Sequence, residues 1–398
     1  MKNNFWNSII QVFSTKIFIY IFTFFSSIYI ARLLGPEEKG KLDVAIAMIG
    51  IGVQFGNLGI HSSNTYYISK DEKNIYKACG NINIIVSIVI AFVFVINLFY
   101  QGDFISKVAL WIIPVQLMVL LNENILIASG KIKSYNFLEI MGNLFYPIVT
   151  IVFSFFVVVK AQEVFILLSV GYIIICILSI FCVLKITKGK AVYDFQFMKK
   201  SIKYGLKAYI ACLFSYLVLK ADIIMINYLK GSGDTGIYSL AVSLSDVLYM
   251  VSSSVGVVAF PELGKLTCMQ EKRKLLKEIL KKLNIIMFIL VIVASLTIVP
   301  VIKIAYGKMY YESISVFWVL LPGVWAMSNV TILNNFFASI NRIEVPITAV
   351  VVGFAGNIIF NIVWITQYGI IGAALASTCS YFIVLLTLGV YLKKELVK

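Results

Sequence analysis

The sequence predicts an all-α integral membrane protein, with about twelve transmembrane helices in two pseudo-symmetric six-helix bundles. Three observations predict it. First, 60% of the 398 residues are hydrophobic and only 13% are charged, with a mean hydropathy of +0.94. Soluble domains run about 45–50% apolar and about 25% charged, and could not cover so much apolar surface. Second, twelve mainly apolar windows follow one another, each long enough to cross a bilayer. Third, a segment beside the first loop recurs 196 residues later.

The windows lie at 12–31, 43–61, 81–99, 108–127, 138–158, 164–184, 204–228, 237–260, 279–301, 314–337, 345–365 and 370–391. The first follows a single charge, Lys2, with no small-residue cleavage site after it, and reads as an uncleaved signal anchor. The window at 108–127 carries Pro114, Asn122, Glu123 and Asn124, so a broken or interfacial helix also fits it. The expected organisation is an N-terminal bundle over 1–184, a flexible basic cytoplasmic linker over 185–203 and a C-terminal bundle over 204–398. Residues 265–282, with the run Glu271-Lys-Arg-Lys-Leu-Leu-Lys-Glu, read as a basic amphipathic helix lying on anionic lipid of the inner leaflet. A soluble partner is the alternative occupant of that basic face.

Charge sets the orientation. Lys and Arg number 34 against 19 Asp and Glu, a net +15. With the N-terminus inside, 24 basic residues fall in cytoplasmic segments, 8 outside and 2 within spans. That bias places both termini in the cytoplasm of a multi-pass cell-membrane protein. It also explains the net charge without nucleic acid, because no basic stretch has a soluble domain around it.

Residues 31–45 and 227–241 are the repeated segment. Gly35, Gly40 and Ala45 fall on Gly231, Gly236 and Ala241, and Tyr20 falls on Tyr216. Six spans separate the copies, so they share one orientation, as in a parallel repeat about an axis along the membrane normal.

Several motifs carry no chemistry. Gly231-Ser-Gly-Asp-Thr-Gly236 matches a dinucleotide fingerprint, yet no strand precedes it. Ile237 stands where a P-loop needs Lys, so ATP hydrolysis is not expected. Gly52 and Gly56 fit helix packing. The six cysteines form no CxxC pair and read as core residues, and His61, the single histidine, excludes a multi-histidine zinc site. No cofactor is called for.

Intramembrane charge is the sharper signal, because a Lys or Asp at the bilayer centre costs about 2.5–3.5 kcal/mol. Lys16 shares a helical face with Tyr20, Thr23 and Ser27; Lys220 shares one with Tyr209, Cys212, Tyr216 and Asn227; Asp246 shares one with Ser239, Ser243 and Ser253. Since the repeat pairs the first span with the seventh, the two lysine stripes are expected to line one central cleft. Lys16 lies near the inner edge, where snorkelling to the headgroups is the alternative. Asp222, two positions from Lys220, points nearly opposite and would pair elsewhere. Glu123, Asp222 and Asp246 are either ion-coupling groups or structural carboxylates.

Ala31-Arg-Leu-Leu-Gly-Pro-Glu-Glu-Lys-Gly40 resembles the first-loop signature of polysaccharide (Wzx-type) flippases of the multidrug/oligosaccharidyl-lipid/polysaccharide exporter superfamily. Asp222-Ile-Ile-Met-Ile, Gly236-Ile-Tyr-Ser-Leu-Ala241 and Phe260-Pro-Glu-Leu263 are similar to the start of that family's second half. Asn334 to Arg342, then Asn357, Asn361 and Tyr368 to Ala374, are similar to its last two helices. The resemblance implies a MATE-like, V-shaped fold with a cationic cavity. It implies a non-enzymatic flippase that moves an undecaprenyl-diphosphate-linked oligosaccharide to the outer leaflet by alternating access, for surface polysaccharide synthesis. Lys16 and Lys220 would attract the diphosphate, and Tyr20, Thr23, Tyr216 and Asn227 would contact substrate. A polysaccharide polymerase or glycosyltransferases are the implied protein partners. The sequence departs from richly basic members: Phe24 occupies the repeat position of Lys220, and no further helix pair follows the twelfth span. A multidrug antiporter of the same superfamily would present a cleft dominated by carboxylates. A membrane glycosyltransferase or polymerase would need large outside loops, and every outside loop here is short.

Overall fold

The computed structural model describes residues 2–266 and 268–397, all in helices and short connections. Eleven α-helices succeed one another: α1 Lys2–Asn57, α2 Ile60–Lys70, α3 Asn74–Phe99, α4 Phe104–Ala128, α5 Ile132–Ser154, α6 Ala161–Thr187, α7 Phe195–Lys230, α8 Ser232–Lys265, α9 Met269–Val301, α10 Glu312–Ser339 and α11 Glu344–Val397. Among the described residues ten helices are long and apolar enough to cross a membrane. Two of these, α1 and α11, each contain two helices joined at a glycine kink, Gly35 and Gly369, which gives the twelve spans expected. The polar window at 108–127 is one continuous helix across Pro114, with Asn122 bonded to Ser179 Oγ at 3.1 Å. Large apolar side chains such as Phe99, Phe156 and Leu386 point outward, as a protein solvated by lipid requires. The six cysteines are free thiols.

The chain divides into two compact units, Met1–Leu34 with Ala45–Tyr209, and Gly35–Val44 with Ile210–Lys398. In the first unit the Gly52/Gly56 pair packs on α4. A Cβ at Gly52 would meet Ile113 Cδ1 at 2.4 Å, and one at Gly56 would meet Leu117 at 3.0 Å. Most of the basic linker is helical, in the end of α6 and the start of α7. Only residues 188–194 are non-helical, and they are tied to α3. The Val192 N–H donates to the Tyr76 carbonyl at 2.9 Å, and Lys77 pairs with Asp194 at 2.8 Å. Asp194 also starts α7 by accepting the Phe197 N–H at 2.9 Å, the usual task of an aspartate before a helix.

In the second unit the repeated loop segments meet. Gly35 (φ 70°, ψ 173°) and Gly231 (φ 93°, ψ 176°) take the same positive-φ conformation, which a side chain would strain. Five residues on, Gly40 and Gly236 lie backbone against backbone. A Cβ at Gly40 would sit 1.8 Å from the Ser232 carbonyl oxygen, and one at Gly236 would sit 1.9 Å from that of Pro36. Pro36 and Ser232 are themselves repeat mates, so the contact is reciprocal, as a local two-fold relation produces. Asp43 and its repeat mate Ser239 are hydrogen-bonded, and Lys39 pairs with Asp43 at 2.5 Å.

The basic segment 265–282 does not form a separate helix on the membrane surface. From Met269 it is the first part of α9, continuous with the span to Val301. No breaker interrupts it. Leu276 and Leu283 are buried in the same core cluster as Met287, Phe336 and Phe337. Lys272 donates to the Ser339 carbonyl at 2.8 Å, Arg273 reaches the Glu395 carbonyl, and Arg342 bridges Glu344 and Glu395. These bonds pin the ends of α9, α10 and α11 together.

Candidate substrate path

Among the described residues no group of three or more His, Cys, Asp or Glu is placed to hold a metal. The polar side chains singled out by the sequence fall mainly into two groups, one in each unit.

In the first unit Lys16 is exposed on α1, and Tyr20, one turn on, is 45% exposed. Thr23 is half-buried and spends its hydroxyl on its own helix, donating to the Ile19 carbonyl at 2.8 Å. Glu123 on α4 is half-buried and lies within the electrostatic reach of both Lys16 and Glu139. Glu139 on α5 accepts the Tyr135 hydroxyl at 2.6 Å, and Tyr135 also senses Glu123 and Tyr20. The structure therefore gathers Lys16, Tyr20 and Glu123, and adds Tyr135 and Glu139, which the sequence reading missed. Their spacing of four residues on α5 was a usable signal.

In the second unit Lys220 faces Asp246 across α7 and α8, Nζ to Oδ2 at 3.4 Å, with side-chain exposures of 28% and 51%. Tyr216, one turn before Lys220, is half-buried beside it. Asn227, two turns beyond Lys220 on α7, is also half-buried. Asp222 is only 1% exposed and faces away from Lys220. It accepts hydrogen bonds from the Tyr238 hydroxyl, from Ser377 at 3.0 Å and from the Ile223 N–H at 2.8 Å, joining α7, α8 and α11. Of the serines sharing the Asp246 stripe, Ser239 is buried and turned to Asp43, while Ser243 is exposed. Tyr209, at the start of the Lys220 stripe, donates to the Phe55 carbonyl at 3.3 Å in the first unit.

Lys220 thus pairs with Asp246 in its own unit, and Glu123 lies within electrostatic reach of Lys16. These acids depart from the richly cationic cavity the resemblance implies.

Comparison with known proteins places these clusters in context. The profile of a family described as polysaccharide biosynthesis protein matches residues 5–267. An uncharacterized membrane protein of Methanocaldococcus jannaschii, MJ1068, is 26% identical over 206 residues, 50% of this chain and 40% of the relative, so the match spans well under half of that protein. Among solved structures, the lipid II flippase MurJ in an inward closed conformation superposes with a TM-score of 0.80 at 18% identity, covering 97% of this chain and 87% of that one. An inward-facing multidrug resistance MATE family transporter of the MOP superfamily gives 0.71 at 11% identity, covering 98% of each chain. The eukaryotic MATE transporter AtDTX14 gives 0.63 at 12% identity, covering 97% and 93%. At these identities the structural likenesses establish the fold.

Proposed function

The chain belongs to the polysaccharide biosynthesis protein family, and from that premise we propose that it is a flippase for a lipid-linked oligosaccharide. Its substrate would be an undecaprenyl-diphosphate-linked sugar chain, carried from the inner to the outer leaflet by alternating access. The observation that supports this best is the pair of lysines on accessible helix faces, each with a tyrosine one turn away and a carboxylate within electrostatic reach. An ammonium is a compact point-charge partner for a diphosphate. Lys16 and Lys220 are the cations offered to it, and Tyr20, Thr23, Tyr216 and Asn227 are the candidates for sugar contact. Glu123 and Asp246 hold those lysines when no substrate is bound, and Asp222 holds the second unit together. The termini would be cytoplasmic, and a polymerase or glycosyltransferases would act on either side of the transport step.

A second reading, a multidrug cation exporter, is favoured by the carboxylates Glu123, Glu139 and Asp246, which outnumber the two lysines. Complementation separates the two. In a host lacking its own flippase and supplied with the matching glycan genes, the wild-type chain should restore surface glycan and leave ethidium efflux unchanged. Ethidium efflux without glycan would establish the exporter instead.

A further inference from the structure

At the end of the first unit that the charge bias places in the cytoplasm, α2 and the start of α7 meet through aromatic rings. Tyr66 and Tyr204 stack with centroids 4.1 Å apart and planes 16° from parallel. Tyr67 packs on Tyr204 at 5.8 Å and on Phe197 at 5.2 Å. The ammonium of Lys70 lies 4.3 Å from the centre of the Tyr66 ring. The backbones fix this arrangement, since a Cβ at Gly205 would sit 2.2 Å from the Gly59 carbonyl oxygen.

Two of the neighbouring acids are engaged elsewhere. Asp194 is bonded to Lys77, which holds its carboxyl below the usual carboxylate range. Asp71 accepts the Lys73 N–H at 3.0 Å. Lys70 is held over the Tyr66 ring, and its interaction with Tyr66, ahead of the influence of Tyr67 and Tyr204, raises it above the ordinary lysine value. Tyr204 keeps 45% of its surface open. Tyrosines of an interfacial belt point singly towards headgroups. Here they stack on one another and carry a cation at the edge.

A platform of this kind suits a ligand with an apolar face next to an anion. A sugar bearing a diphosphate has both: its C–H face can lie on a ring, and its phosphate oxygens can accept from the ammonium. A phospholipid headgroup offers the phosphate alone. We propose that Tyr66, Lys70 and Tyr204 form a loading subsite at the cytoplasmic rim, which captures the sugar-diphosphate headgroup of the lipid-linked substrate before it reaches the intramembrane lysines. The proposal rests on the flippase reading and adds a second, extramembrane site to it.

The test is binding of farnesyl-diphosphate-linked N-acetylglucosamine to the full chain in phosphatidylcholine nanodiscs, with melting temperatures recorded for each variant. Lys70→Gln should weaken binding about tenfold, the loss of one charge-assisted contact. Tyr204→Ala should weaken it by about as much, through the lost ring, while Tyr204→Phe keeps the wild-type affinity. Wild-type affinity in both Lys70→Gln and Tyr204→Ala would overturn the subsite and leave the flippase reading standing. Failure of the wild type to bind the probe would overturn both. Lys70 is exposed, so its variant reports even if Tyr204→Ala fails to fold. In a second arm, phosphatidylglycerol added to the nanodiscs should leave wild-type affinity unchanged. If it displaces the probe from wild type but not from Lys70→Gln, the site serves a phospholipid and the substrate assignment is overturned.

Discussion

Removing the Lys220–Asp246 pair should separate transport from stability. The charges lie 3.4 Å apart, with side chains 28% and 51% exposed. At an effective dielectric near 20, two unit charges at that separation attract by about 5 kcal/mol. Exposed pairs measured by double-mutant cycles contribute only about 0.2–1 kcal/mol. The half-exposed Asp246 puts this pair near the lower figure, about 1 kcal/mol. Lys220→Ala and Asp246→Ala should therefore each leave membrane abundance near wild type. Transport should behave differently. Lys220→Ala and Lys220→Glu should abolish glycan export, with Glu worse because it repels a diphosphate, while Lys220→Arg should keep part of it. Asp246→Ala also tests the surroundings of Lys220. A lysine left facing lipid would cost about 2.5–3.5 kcal/mol and lower abundance, whereas one facing water would not. The assay is surface glycan in a flippase-deficient host, with membrane levels of every variant measured alongside. Restoration of export by the double variant Lys220→Ala/Asp246→Ala would refute the reasoning, because the pair would then be structural and Lys220 outside the substrate path.

Asp222→Ala should behave in the opposite way. It strands the buried hydroxyls of Tyr238 and Ser377 at about 1–3 kcal/mol per unpaired group, so thermal stability in detergent should fall clearly; an unchanged melting temperature would contradict its bracing role. Gly40→Ala and Gly236→Ala each place a methyl group under 2 Å from a backbone oxygen. Overpacking of this kind costs about 1–3 kcal/mol or more, and both variants should show lowered abundance. Reporter fusions at Lys199 and Lys274 should register as cytoplasmic and those at Glu38 and Asp234 as outside; an outside signal at Lys274 would overturn the topology drawn from the charge bias. Because its bond to Lys77 lowers the Asp194 carboxyl in the folded state, the clasp's contribution is fully present above the unfolded value of about 4 and is lost only as pH falls through the lower folded value. The protection factor of the Val192 amide, its exchange rate relative to the intrinsic rate at each pH, should thus be equal at pH 5 and pH 7, and a lower protection factor at pH 5 would contradict the assignment.

The spans were legible because lipid imposes a composition that no other solvent does. The kink at Gly35-Pro36 and its mate at Gly231 were legible as repeated glycines, though not as one shared conformation. The contact between Gly40 and Gly236 was not legible, since a repeat implies similar copies and does not say that they touch. Helical periodicity groups Ser239 with Asp246, but Ser239 is buried and the partner of its hydroxyl, Asp43, lies 196 residues away. Tyr135 falls outside the apolar window, which the polar run Lys133-Ser-Tyr-Asn delays to 138 while α5 begins at Ile132; Glu139 lies just inside that window, but without Tyr135 it shows no partner. The charge and amphipathic pattern of the segment 265–282 make it read as a helix lying on the membrane surface. Its leucines at 276 and 283 continue the buried face of the span that follows, and that continuity decides the matter. Asp194 carried a readable helix-start signal, masked by the lysines around it.

The most direct measurement is translocation by the purified chain in proteoliposomes. A short polyprenyl-diphosphate oligosaccharide, loaded on one leaflet, is followed by its exposure to a membrane-impermeant glycosidase on the other side. Wild-type protein should render the sugar accessible with time, and Lys220→Ala at equal reconstitution should not. Equal accessibility in wild-type, Lys220→Ala and protein-free vesicles would contradict lipid-linked oligosaccharide flipping by this chain.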